Sequence, residues 1–189
     1  MPSPTGRPEK MNKSAPILRQ SASAYFQQLA DLMLSVEVTD QQGVSVSLEE
    51  AANGAAELIG SVKSVLGKVM VIGNGGSASI ASHMQNDLCK ALGVRAMVFN
   101  EPPLLMALSN DIGYECVFER PIELWADAGD VLFAISSSGQ SANILLGVEA
   151  ARRHDCRIVT LSGFSPGNPL RGLGDLNFYV SSGAYGHVE

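Results

Sequence analysis

Five short apolar runs set the terms for this chain: VMVI at 69–72, RAMVF at 95–99, VLFAI at 131–135, RIVTL at 157–161 and NFYV at 177–180. Each is too short for a helix and rich in β-branched or aromatic residues, and helix-length stretches of mixed polarity separate them. A strand with one wet face alternates apolar and polar residues, whereas a nearly continuous apolar strand is covered on both faces. Strands of that kind, interleaved with helices, predict a doubly wound α/β sandwich with a parallel sheet of five strands and right-handed crossovers. Two amphipathic helices are expected ahead of the sheet. Ile17, Leu18, Tyr25, Phe26, Leu29, Leu32 and Met33 recur at helical spacing between 15 and 36, and 46–66 repeats the character behind Ser47, a candidate N-cap.

With 189 residues, 46% of them apolar, the chain has the length and the apolar content of one well-buried domain. Residues 1–14 carry three prolines and several charges with almost no apolar content, and read as a flexible leader. Residues 15–189 are then the domain, with helices over 15–66 and the sandwich over 67–189. Thirteen Lys and Arg against nineteen Asp and Glu give a net charge of -6, which supplies no basic field for nucleic acid or an anionic membrane. Cys89, Cys116 and Cys156 are widely spaced and odd in number, so no disulfide framework or zinc knuckle is expected, and a reducing cytoplasm suits them. No signal core or membrane-length apolar run is present.

Ligands of such sheets sit beyond the carboxyl ends of the strands, where loops lead into helix N-termini. Two loops have that position. The first, Gly73 to Ser77 in VIGNGGSASIASHMQNDL, matches neither G-x-G-x-x-G nor the Gly-Lys-Ser/Thr end of a P-loop, so no nucleotide cofactor is expected. The second lies in AISSSGQSANILLGVEAA, residues 134–151, where Ser136, Ser137, Ser138 and Ser141 crowd around Gly139. Hydroxyl donors, the unpaired N–H groups of a helix start and the helix dipole hold a phosphate monoester without any lysine. An ordinary turn capped by Ser141 explains the same residues, and the loop alone leaves both readings open. Asn143, just inside the helix, reads as helix-start chemistry.

GNGGSA, NDIGYECVF and DVLFAISSSGQSANI, followed by RIVTLSG, resemble in order and spacing the sugar isomerase (SIS) domain, and within it the phosphoheptose isomerase group. The resemblance spans roughly residues 15–189. It implies a flavodoxin-like sandwich, a phosphorylated sugar as ligand, and a homotetramer built through the N-terminal helices with active sites shared between subunits. It also implies that Ser136, Ser137, Ser138 and Ser141 hold the phosphate, that Asn74, Gly75 and Ser77 contact the sugar, and that Asp111 sits by its hydroxyls.

His83 and Asp87, four residues apart, share one face of the helix after Ser77. By themselves they are a surface pair. The resemblance makes Asp87 the catalytic base and His83, Asp87 and Glu189 metal ligands, with zinc the candidate ion. The family has glutamate where Asp87 stands. One methylene less draws the carboxylate back by about 1.5 Å, a misplacement worth on the order of 100-fold in rate. The family's general-acid histidine would fall about two turns past Glu189. The implied reaction is aldose–ketose isomerisation of a phosphorylated heptose, sedoheptulose 7-phosphate or its like, through an enediol. The alternative is a non-catalytic phosphosugar-binding protein acting as adaptor or regulator.

Overall fold

The computed structural model describes residues 21–188. The leader, the start of the first predicted helix and Glu189 lie outside the described residues. Helix α1 (Ala22–Leu34) is followed by strands β1 (Glu37–Asp40) and β2 (Ser45–Val46) and helix α2 (Leu48–Ser61). Then come β3 (Val69–Gly73), α3 (Gly76–Lys90), β4 (Ala96–Val98), α4 (Pro102–Asp111), α5 (Glu119–Trp125), β5 (Val131–Ser136), α6 (Ala142–Arg153), β6 (Arg157–Ser162), β7 (Leu176–Tyr179) and α7 (Tyr185–Val188).

All five apolar runs become strands, and β4, β3, β5, β6 and β7 pair in parallel. The sheet order is β2-β1-β7-β6-β5-β3-β4. Because successive side chains leave a strand on opposite faces, the continuous apolar runs split cleanly. Met70, Ile72, Leu132, Ala134 and Ile158 pack with Ile122 of α5 and Ile144 and Val148 of α6. Val69, Val71, Val131, Phe133, Ile135 and Val159 pack on the other face with Ala81 and Leu88 of α3. Full burial of side chains this size stabilises by about 1.5–3 kcal/mol each, which fixes both layers of helices.

The five-strand expectation needs one correction. Segment 37–46, expected only to link two helices, is a hairpin that pairs antiparallel with β7 and extends the sheet to seven strands. The Asp40 carboxylate closes its turn, accepting the N–H groups of Gln42 and Val44 at 2.9 Å each, and Gly43 takes the left-handed φ of 78°. A signal existed: Val36, Val38, Val44 and Val46 alternate with polar residues around Asp-Gln-Gln-Gly. Ser47 is the predicted N-cap, and with Glu50 it forms a reciprocal capping box.

At the amino end of the sheet, the fully buried Asp130 accepts the Lys68 and Asp127 backbone N–H groups, each at 2.8 Å, and the Lys68 ammonium. Burial works against the Lys68 charge, but hydrogen bonds to Asp127 and Asp130 outweigh it and hold its pKa above the usual value. The starts of β3 and β5 are tied together, and pairing carries that register to their far ends, where Gly73 lies opposite Ile135.

Candidate functional site

Register alone makes the two loops neighbours. The chain leaves β3 at Gly73 and β5 at Ser136, and each loop runs straight into a helix, α3 or α6. Glycines make the turns possible. A Cβ on Gly73 would stand 2.7 Å from the Ser77 backbone, so the strand end and the first turn of α3 touch only because none is there. Gly75 holds φ at +55° and Gly139 at +61°, conformations that side chains rarely tolerate. A Cβ on Gly139 would lie 1.9 Å from the Asn168 side-chain oxygen.

A cavity of about 290 Å³ opens between the loops, lined by Asn74, Gly75, Gly76, Ser77, Ile135, Ser136, Ser137, Ser138, Ser141 and Tyr185. Seven predicted site residues thus meet at one place: Asn74, Gly75, Ser77, Ser136, Ser137, Ser138 and Ser141. The lining carries no Lys or Arg. An anion there is met by hydroxyls, by backbone N–H groups and by the positive ends of α3 and α6. Ser141 occupies the N-cap position of α6, yet its side chain makes no capping bond. Its Oγ lies 3.4 Å from Ser136 Oγ, so the capped-turn reading does not account for it. Ser136 Oγ also accepts the Gly139 N–H at 3.2 Å, and Ser138 Oγ accepts the Gln140 N–H at 3.3 Å. These contacts fold the loop back around its own hydroxyls.

Gly76, Ile135 and Tyr185 complete the lining and lie outside the expected set. Tyr185 comes from α7, where its ring packs edge-on against Phe164 at 4.9 Å, a long-range placement with no local sequence signal. Two further residues stand just behind the lining. Asn143 and Tyr114 both hydrogen-bond the Asn74 side chain.

His83, Asp87 and Asp111 do not join the cavity. His83 Nε2 and Asp87 Oδ2 are 3.4 Å apart on exposed side chains and line a separate, largely apolar groove of about 750 Å³ with Ile80, Met84, Leu88 and Leu92. Asp111 is exposed at the end of α4 and accepts a hydrogen bond from the Asn110 side chain at 2.9 Å. Glu189 lies outside the described residues. Among the described residues no group of three or more His, Cys, Asp or Glu side chains is placed to hold a metal, and the four donors of a typical zinc site find two here, His83 and Asp87.

Fold and cavity together define a class: a doubly wound α/β protein with a hydroxyl-lined cavity at the carboxyl ends of two adjacent parallel strands. The SIS domain model matches residues 24–163. The chain belongs to the SIS domain family. Among curated relatives it is 37% identical over 141 residues to the phosphoheptose isomerase of Sodalis glossinidius, covering 72% of each chain. Over the same length it is 39% identical to that of Helicobacter hepaticus, covering 71% of each. The solved phosphoheptose isomerase of Neisseria gonorrhoeae superposes with a TM-score of 0.75 at 28% identity, covering 88% of each chain.

Proposed function

We infer that this protein is a sugar-phosphate isomerase that interconverts the ketose and aldose forms of a phosphorylated heptose. One observation carries the inference: residues from two loops about 60 positions apart, Asn74 to Ser77 and Ser136 to Ser141, line one small cavity free of cationic side chains. A phosphate monoester suits it, since hydroxyl and amide donors can surround its oxygens while two helix dipoles favour its charge. The sugar then runs outward past Asn74 and Tyr185. Its carbonyl end is the reacting end. A carboxylate base takes the proton from the hydroxyl-bearing carbon beside the carbonyl, and the electron pair passes to the carbonyl oxygen as it gains a proton; the resulting enediol is reprotonated at the former carbonyl carbon while the hydroxyl on the first carbon gives up its proton and becomes the new carbonyl.

Asp87 is the proposed base, and its place on a groove outside the cavity of its own chain suggests a route for it. α1 has no buried residue at all, with Phe26, Met33 and Leu34 exposed at 65%, 56% and 82%. Together with the α3 groove, that apolar surface suits association with further copies, bringing the Asp87 of one to the cavity of another. A homotetramer is the proposed assembly. Zinc remains the ion proposed for His83, Asp87 and Glu189 to hold, and no step here is routed through it. A cytoplasmic setting is part of the same proposal, in keeping with three cysteines that are all free. No helix among the described residues is long and apolar enough to cross a membrane.

The direct test is to incubate the full chain with sedoheptulose 7-phosphate, with and without zinc, and follow aldose formation. Conversion is expected, and Asp87→Asn should reduce kcat by more than about 100-fold while leaving sugar-phosphate binding intact. Binding without conversion in the wild type under both conditions would overturn the enzymatic reading in favour of a phosphosugar-binding adaptor.

A further inference from the structure

Asn143 is 2% exposed at the second position of α6, and its carboxamide faces that of Asn74, 69 residues earlier in the chain. Asn143 Nδ2 donates to Asn74 Oδ1 at 2.8 Å, and Asn74 Nδ2 donates back to Asn143 Oδ1 at 2.9 Å. A carboxamide pair of this kind works in either of two flipped arrangements, because both ends are equivalent. A third contact restricts that freedom. The Ile144 backbone N–H is shared between the Ser141 carbonyl and Asn143 Oδ1, each at 3.0 Å, and since an N–H has no acceptor to offer, it favours the oxygen of Asn143 over the amide nitrogen at that position. Reciprocity then fixes Asn74. The Tyr114 hydroxyl donates to the same Asn74 Oδ1 at 3.1 Å, filling the second lone pair of that oxygen.

Asn74 lines the cavity with its oxygen accepting two hydrogen bonds, and among the described residues one of its two amide N–H groups is bonded, to Asn143. We infer that Asn143 is a positioning residue which, with Tyr114, locks Asn74 as a hydrogen-bond donor toward the ligand. The inference rests on the sugar-phosphate reading of the cavity and adds to it the polarity of one contact: the group that meets Asn74 is an acceptor oxygen of the sugar, a hydroxyl, the carbonyl or the oxyanion of an enediolate. A locked donor needs no reorientation as charge builds on that oxygen, and such groups stabilise a transition state more than a ground state. Asn143 thereby acts on the reaction without touching the substrate.

A double-mutant cycle separates positioning from mere support. Asn74→Ala, Asn143→Ala and the double variant are compared for kcat and KM with sedoheptulose 7-phosphate, for inorganic phosphate affinity and for melting temperature. Asn143→Ala is expected to reduce kcat/KM by about tenfold, mostly through kcat, to leave phosphate affinity unchanged, and to add nothing in the Asn74→Ala background. Additive losses, or a parallel fall in phosphate affinity, would overturn the inference and make Asn143 a support of the fold. Should Asn143→Ala fail to fold, Tyr114→Phe asks the same question from an exposed position. A drop in kcat of about two- to threefold that vanishes beside Asn74→Ala supports the lock, and unchanged kinetics in the otherwise wild-type chain overturn it. A wild-type chain that binds phosphate but converts no sugar phosphate defeats the isomerase reading and the inference with it, whereas wild-type turnover with additive variants defeats the inference alone.

Discussion

Ser138 and Gly139 are adjacent, and substituting them has opposite consequences. Ser138 is partly exposed, lines the cavity and accepts the Gln140 N–H, so Ser138→Ala should keep the melting temperature within about 2 °C and weaken sugar-phosphate binding about tenfold, the loss of one charge-assisted hydrogen bond. Gly139→Ala acts on the fold itself. Its methyl would collide with Asn168, whose side chain bonds Ser162 Oγ, the Gly163 and Ser165 carbonyls and the Arg171 N–H. Loss of more than about 2 kcal/mol is expected, visible as a large drop in melting temperature. The serines of this loop were legible from their crowding and the family likeness. The role of Asn143 was not, because helix-start chemistry and a bond to a residue in a distant loop look identical in a linear sequence.

Helices α5 and α6 are held together at the surface by charge. Arg153 donates to Glu119 at 3.0 Å and to Glu123, and His154 Nε2 lies 2.8 Å from Glu123 Oε2. Hydrogen bonds from His154 and then Arg153 hold the Glu123 carboxyl below its ordinary value of 4.5. A depressed carboxylate pKa means that the unfolded chain binds the proton more readily, so this contribution is present above about pH 4.5 and is lost as pH falls through the folded value. Glu123 is about one-third exposed, and solvent screening limits the effect to about 1 kcal/mol. Thermal melts should therefore place Glu123→Gln about 2–4 °C below wild type at pH 7, with the gap closing toward pH 3; a constant gap would deny the clasp its charge. Helix existence was readable from periodicity, and the capping box at Ser47 from its spacing. The hairpin was harder, since β1 and β2 together hold six residues and join the sheet only through the pairing of β1 with β7, far away in sequence.

At the scale of the whole molecule, one helix is out of place for a solitary chain. α1 touches the body through Tyr25, whose hydroxyl donates to the Gly186 carbonyl at 2.9 Å and whose ring lies 5.2 Å from that of His187, and while Leu29 and Leu32 are half-buried, Phe26, Met33 and Leu34 stay exposed. Light scattering is expected to report an assembly larger than one chain, and Leu34→Asp to dissociate it and abolish turnover while preserving the circular dichroism of the fold; a wild-type monomer that is fully active would contradict the shared-site proposal. The sequence by itself determined the layers, because the polarity pattern of a segment states directly how many of its faces meet water, and it marked the serine-rich loop, because its hydroxyls lie within six consecutive residues. Tertiary structure alone decided which strands are neighbours, that Asn74 is pinned by Asn143 and Tyr114, and that His83 and Asp87 lie outside the cavity. Local pattern encodes burial, whereas adjacency and direction depend on the packing of segments that no short stretch of sequence contains.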